Sequence, residues 1–130
     1  MHAEHADAAV LNDLSGRVIG CAFTVLNALG TRFLEKVYES ALALELQDAG
    51  LSAVQQCGVK VHYKNHVVGE YFPDLLIEDK LLVELKAVSA LDDVHRMQCT
   101  NYLKATDLRL CLLLNFGKPR LEIKRIVNGL

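Results

Sequence analysis

The sequence predicts an α/β fold with a mixed central β-sheet flanked by helices. Three observations predict it. Hydrophobic residues are 52% of a 130-residue chain, enough to build one real core. Apolar periodicity switches along the chain from helical steps to strand-like runs and back. The resulting order, two helices, three strands, a helix and two strands, fits an α/β domain whose sheet is mixed.

Each element has its own reason. Leu11, Leu14, Val18, Ile19, Ala22, Val25, Leu26 and Leu29 recur at three- and four-residue steps, so residues 9–29 read as an amphipathic helix ended by Gly30. Residues 33–49 read as a second helix, with Leu34, Val37, Ala41, Leu42 and Leu44 as its apolar positions and Gly50 as its stop. Val59 to Tyr63, Val67 to Ile77 and Leu81 to Val88 read as three strands joined by short polar turns. Asp92 or Asp93 can cap a third helix running to about Lys104. Arg109 to Asn115 reads as an apolar strand and Leu121 to Val127 as an edge strand. Residues 1–8 read as a flexible tail, with His2 and His5 solvated, and residues 9–130 as a single domain.

Composition narrows the class. No apolar run is expected to span a bilayer, and the start lacks the basic and apolar segments of a signal peptide. Cys21, Cys57, Cys99 and Cys111 are widely spaced and form no Cys-x-x-Cys pair. They read as buried thiols in a reducing compartment, with the cytoplasm as the default. The net charge of −2 argues against a strongly basic nucleic-acid binder. Its distribution is uneven: residues 104–130 carry a balance of +4 and residues 1–103 one of −6. Basic side chains there could track a phosphate backbone while the acidic part holds metal; a solvated surface is the alternative.

The most informative local feature is Pro73-Asp74 followed by Glu84-Leu85-Lys86. If Glu78 to Lys80 form the turn, Ile77 faces Leu81 and Asp74 lies directly opposite Glu84. Lys86 then stands two residues along on the same face. Opposed carboxylates repel, so their pairing between apolar neighbours points to a cation between them. Mg²⁺ binds through one or two carboxylates plus water and phosphate. An ion-pair network of Glu84, Lys86 and Asp74 on a solvent face is the simpler alternative.

These residues resemble the PD-(D/E)xK nuclease superfamily. The stretch Phe33 to Leu42, Val83 to Val88, Gln98 to Lys104, Leu112 to Gly117 and Lys124 to Asn128 together resemble its GxxExxY branch over roughly residues 12–128. The first Gly of that pattern falls at Arg32, whereas Glu35 and Tyr38 are kept. The resemblance implies a restriction-endonuclease-like core with one extra N-terminal helix. It implies a nuclease that hydrolyses phosphodiester bonds, in DNA by preference, with Mg²⁺ or Mn²⁺. Asp74 and Glu84 would hold the metal, with the Leu85 carbonyl and Glu35 completing its shell. Lys86 would position the attacking water.

Further residues follow from the same comparison. Gln98-x-x-x-Tyr102 resembles a Gln-x-x-x-Tyr element that lines the site in recombination-type members. His95, Gln98 and Tyr102 share one helical stripe, which makes His95 and Tyr102 candidates for substrate contact beside Gln98. Tyr38, three residues from Glu35 on one helix face, is a further candidate. The alternative function is a non-catalytic nucleic-acid-binding or self-assembling protein that retains the fold. The abundance of apolar residues also suggests a homo-oligomer. No base-reading helix is evident, so recognition of backbone or shape is expected.

Overall fold

The computed structural model describes residues 7–129; most of the expected N-terminal tail, including His2 and His5, lies outside the described residues. Helix α1 (Ala8–Leu29) starts where Asp7 accepts a hydrogen bond from the Val10 N–H, so the last two residues assigned to the tail belong to the helix start. Its buried side chains are Leu11, Leu14, Ser15, Val18, Ala22, Val25 and Leu26, nearly the face the periodicity picks out. By length and mean hydropathy (1.3) α1 could cross a membrane, contrary to the sequence expectation. Here that apolar face is covered by the core.

Helix α2 (Glu35–Asp48) buries only part of the apolar set read from the sequence. Tyr38, Glu39, Leu42, Ala43 and Leu46 face inward, while Leu34, Val37 and Leu44 are exposed. Leu34, Val37 and Leu44 therefore form an outward stripe, while Ala41 packs against the core. Periodicity identified the helix, but two apolar faces competed for the core.

The sheet strands are β1 (Ala53–Gln55), β4 (Leu75–Ile77), β5 (Leu81–Lys86), β6 (Leu110–Asn115) and β7 (Glu122–Val127). They lie in the order β1-β4-β5-β6-β7, with β5 and β6 parallel and the other neighbours antiparallel. The parallel pair is joined through α3 (Asp93–Thr106), as a crossover requires. Strands β2 (Val59–Tyr63) and β3 (His66–Tyr71) form a separate two-stranded sheet.

The strand expected over Val67 to Ile77 is thus two strands in two sheets. Pro73 cannot donate to a ladder, and β3 ends at Tyr71 before β4 begins at Leu75. The very short β1 was not anticipated.

Period-two alternation divides the core. Leu81, Val83 and Leu85 pack with α1 and α2, whereas Leu82 packs with Cys99, Tyr102 and Leu103 of α3. Each fully buried leucine contributes about 1.5–3 kcal/mol. Glu84 shares the α3 side with Leu82, and its carboxylate meets Tyr102 there.

Candidate active site at the end of strand β5

The turn between β4 and β5 sets the site. Glu78 and Asp79 both have positive φ (51° and 56°), and the Lys80 N–H donates to the Ile77 carbonyl at 2.9 Å. Ile77 therefore pairs with Leu81, Leu76 with Leu82 and Leu75 with Val83. One step further, the opposed positions are Asp74 and Glu84. The Asp74 N–H donates to Glu84 Oε1 (3.1 Å), and the Leu85 N–H donates to Asp74 Oδ2 (2.8 Å). Each carboxylate is thus fixed by the other strand's backbone. This is the register read from the sequence.

Both carboxyl groups are buried, Asp74 with 8% and Glu84 with 3% of its surface exposed. Burial first, then the neighbouring Asp74 charge, pushes Glu84 up to about 8. Burial also raises Asp74. Lys86 Nζ lies 3.7 Å from Glu84 Oε2 and is the adjacent counter-charge. The Tyr102 hydroxyl donates to the same Oε2 over 3.5 Å. Burial, then the Glu84 charge, raises the pKa of this phenol, which keeps it a donor.

Glu35 stands in the first turn of α2. Burial raises its pKa, Lys86 lowers it, and the charges of Asp74 and Glu39 raise it. It therefore shares the electrostatic field of the pair. Among the described residues, no three His, Cys, Asp or Glu side chains converge as a metal-binding group; Asp74 and Glu84 are the pair that the hydrogen bonds bring together. Two buried, mutually repelling hard-oxygen donors suit a cation that takes one or two carboxylates and completes its shell with water and phosphate. The donor set therefore fits Mg²⁺ or Mn²⁺.

The remaining candidates divide. Gln98 is half-buried and, with Tyr102, lines a groove between α3 and β3. His95 is occupied in the cap of α3: the Asp92 N–H donates to its Nδ1, while Asp92 Oδ1 accepts from the His95 and Val94 N–H groups. That capping box leaves the ring proton on Nε2. Tyr38 is fully buried and stacks on Phe116 at 4.8 Å. Its hydroxyl donates to the Gly30 carbonyl and accepts from the Phe33 N–H. Tyr38 therefore holds the α1–α2 turn from within the core.

Two residues of the surroundings escaped the sequence reading. Glu39, 3% exposed, accepts from Gln55 Nε2 and Gln56 Nε2 and pairs with Lys36 at 2.8 Å. Gln56 Nε2 also donates to Asp74 Oδ1 at 3.2 Å, bridging the two carboxylates. Burial raises Glu39, but the Lys36 and Gln55 hydrogen bonds outweigh it and the net shift is downward. Its place one helical turn after Glu35 was the available signal; Gln56 offered none.

The basic residues of the C-terminal part are partly spent on the fold. Arg125 donates to Ser15 Oγ and Asn12 Oδ1 of α1, Arg109 donates to the Gly129 carbonyl, and Lys118 pairs with Glu122.

Comparison with known proteins identifies the superfamily and the fold. A family model described as the PD-(D/E)XK nuclease superfamily matches residues 12–126. No curated protein matches. The crystal structure of SSO0001 is similar at a TM-score of 0.58 and 17% identity, over 73% of this chain and 50% of that one. The chain thus spans half the length of that protein, and the likeness is one of fold, a restriction-endonuclease-like α/β arrangement.

Proposed function

The chain belongs to the PD-(D/E)XK nuclease superfamily, and on that premise we propose that it is a metal-dependent nuclease of the GxxExxY branch that hydrolyses phosphodiester bonds in DNA. The observation that carries the reading is the interlocked pair Asp74–Glu84 with Lys86 beside it. In this reading Asp74 and Glu84 would hold Mg²⁺ or Mn²⁺, and the Leu85 carbonyl and Glu35 would assist them. The bound cation would make a water nucleophilic and polarise the phosphoryl group.

The chain's own residues supply the rest. Lys86 offsets negative charge and orients the attacking water. Gln56 and the Leu85 N–H hold the Asp74 carboxylate in one orientation. Tyr102 does the same for Glu84 Oε2. Hydrolysis adds the water oxygen to phosphorus and breaks the bond to the leaving oxygen, which takes up a proton.

Self-association belongs to the same proposal. Leu34, Val37 and Leu44 are 79%, 39% and 61% exposed along one stripe of α2, a surface suited to a second copy of the chain. The four free thiols suit a reducing compartment such as the cytoplasm.

The test is cleavage of single-stranded, duplex and branched DNA with Mg²⁺ or Mn²⁺, against EDTA. Wild type is expected to cut, and Asp74→Ala, Glu84→Ala and Lys86→Ala to lose at least a hundredfold in rate while remaining folded. A folded wild type that cuts none of them would leave the non-catalytic binding or assembly protein as the reading.

A further inference from the structure

Beside the carboxylate pair the surface carries a trough with two connected parts. The first is a mostly apolar groove of about 380 Å³ between β3 and α3, lined by Tyr71, Val94, Met97, Gln98, Asn101 and Tyr102, with the Asp93 carboxylate at its α3 end. Tyr71 and Tyr102 meet edge to face at 5.5 Å and 62°. Tyr102 also donates to Glu84 Oε2, so the groove and the site share this residue. Tyr71 and Met97 are 41% and 60% exposed, uncovered apolar surface at the edge of a polar site. The second part shares Tyr71 and Asn101 with the first and continues past Lys60, His62 and Lys104. Among the described residues neither lysine has an ion-pair partner, although Glu70 lies opposite Lys60 in the hairpin.

Tyr102 joins the carboxylate–lysine site to the aromatic and thioether surface, and Tyr71 and Asn101 join that surface to the part carrying Lys60 and Lys104. The chemistry of these three parts matches a chain that alternates phosphate, flat apolar base and phosphate. Stacking on aromatic side chains requires an unpaired base, because a duplex keeps its base faces stacked inside. The amides of Gln98 and Asn101 can each donate and accept, so they accommodate different base edges.

We propose that this trough binds an unpaired nucleotide segment, with one base stacked over Tyr71 and Met97 next to the scissile phosphate and the adjoining phosphates led along Lys60 and Lys104. This rests on the nuclease reading for the identity of the phosphate at Asp74 and Glu84. It adds the substrate class: single strands, overhangs or flaps rather than uninterrupted duplex.

The test separates binding from cutting. Fluorescence anisotropy in EDTA would compare a labelled oligothymidine with a blunt hairpin duplex of equal length. The single strand is expected to bind at least tenfold more tightly. Met97→Ala and Tyr71→Ala should each weaken single-strand binding about tenfold and leave duplex binding unchanged. Met97, exposed on a helix, keeps the test valid if Tyr71→Ala unfolds the hairpin. Lys60→Ala with Lys104→Ala should flatten the dependence of affinity on salt.

Equal affinity for both substrates, or variants that leave single-strand affinity intact, would overturn the proposal. So would loss of self-association in Met97→Ala with DNA affinity unchanged, which would assign the groove to a second copy. A single-strand preference without cleavage would leave the trough standing and sink the nuclease reading. Cleavage of duplex without that preference would do the reverse.

Discussion

Arg32 has a φ of 81°, a left-handed conformation that costs a residue with a Cβ about 1–2 kcal/mol and costs glycine little. In the proposed GxxExxY assignment glycine would stand at this position, and the positive φ of Arg32 is one that glycine adopts freely. Tyr38, anchored to Gly30 and Phe33, holds the turn in that shape. Arg32→Gly is therefore expected to stabilise the protein by about 0.5–1 kcal/mol, seen as a rise of a few degrees in thermal melting. A fall would mean that the Arg32 side chain contributes more than its backbone strain costs. At this scale the sequence was legible where chemistry is local. Asp74, Glu84 and Lys86 could be aligned by counting. Glu39 and Gln56 could not, because their approach to Asp74 is made by a helix and a loop more than fifteen residues away.

At the scale of elements, the segment leaving β5 is clamped by the end of β6. Asn115 is fully buried; its Oδ1 accepts from the Val88 and Gly117 N–H groups, and its Nδ2 donates to the Val88 carbonyl and to Glu122. A Cβ on Gly117 would lie 2.2 Å from the Val88 carbonyl oxygen and 2.4 Å from its nitrogen. Neither neighbour is a flexible side-chain tip, so backbone must move. Gly117→Ala is expected to cost about 2–4 kcal/mol by overpacking. Asn115→Ala should cost about 2–3 kcal/mol by orphaning buried backbone groups. Urea unfolding measures both; changes under about 0.5 kcal/mol would contradict the clamp. Helix and strand identities were readable because periodicity is a local property. The inward face of α2 was not, since Leu34–Val37–Ala41–Leu44 and Tyr38–Leu42–Leu46 both satisfy a helical stripe. Nor was the division of the long strand at Pro73 into two sheets, although proline had marked the place.

For the whole molecule, the buried carboxyls tie stability to pH. Glu84, raised to about 8, and Asp74 and Glu35, also raised, bind more protons folded than unfolded. Their stabilising contribution is complete below the ordinary carboxylate range and is lost as pH rises through their folded pKa values. For Glu84 alone the decline between about pH 5 and 8 has a slope of about 1.4 kcal/mol per pH unit. Glu39 and Glu122 are lowered and act oppositely, with their stabilisation lost as pH falls below the carboxylate range. Denaturant unfolding in EDTA should therefore show stability falling from pH 5 to 8, and Glu84→Gln should flatten the fall. Mg²⁺ should restore stability most at the alkaline end, because protons and cation compete for the same oxygens. A wild-type profile that is flat in EDTA would remove the buried-pair explanation.

The sequence by itself determined the α/β order, the hairpin register and the opposition of Asp74 and Glu84 with Lys86 alongside. Those follow from period-two alternation and turn length, which act over a few residues. Tertiary structure alone decided that β2 and β3 leave the main sheet, that Tyr38 braces a turn, and that Glu39 and Gln56 reach Asp74. It also brought Tyr71, Met97 and Tyr102 into one groove beside the site. Such meetings join residues far apart along the chain, and they are selected by which apolar faces the whole core can bury at once.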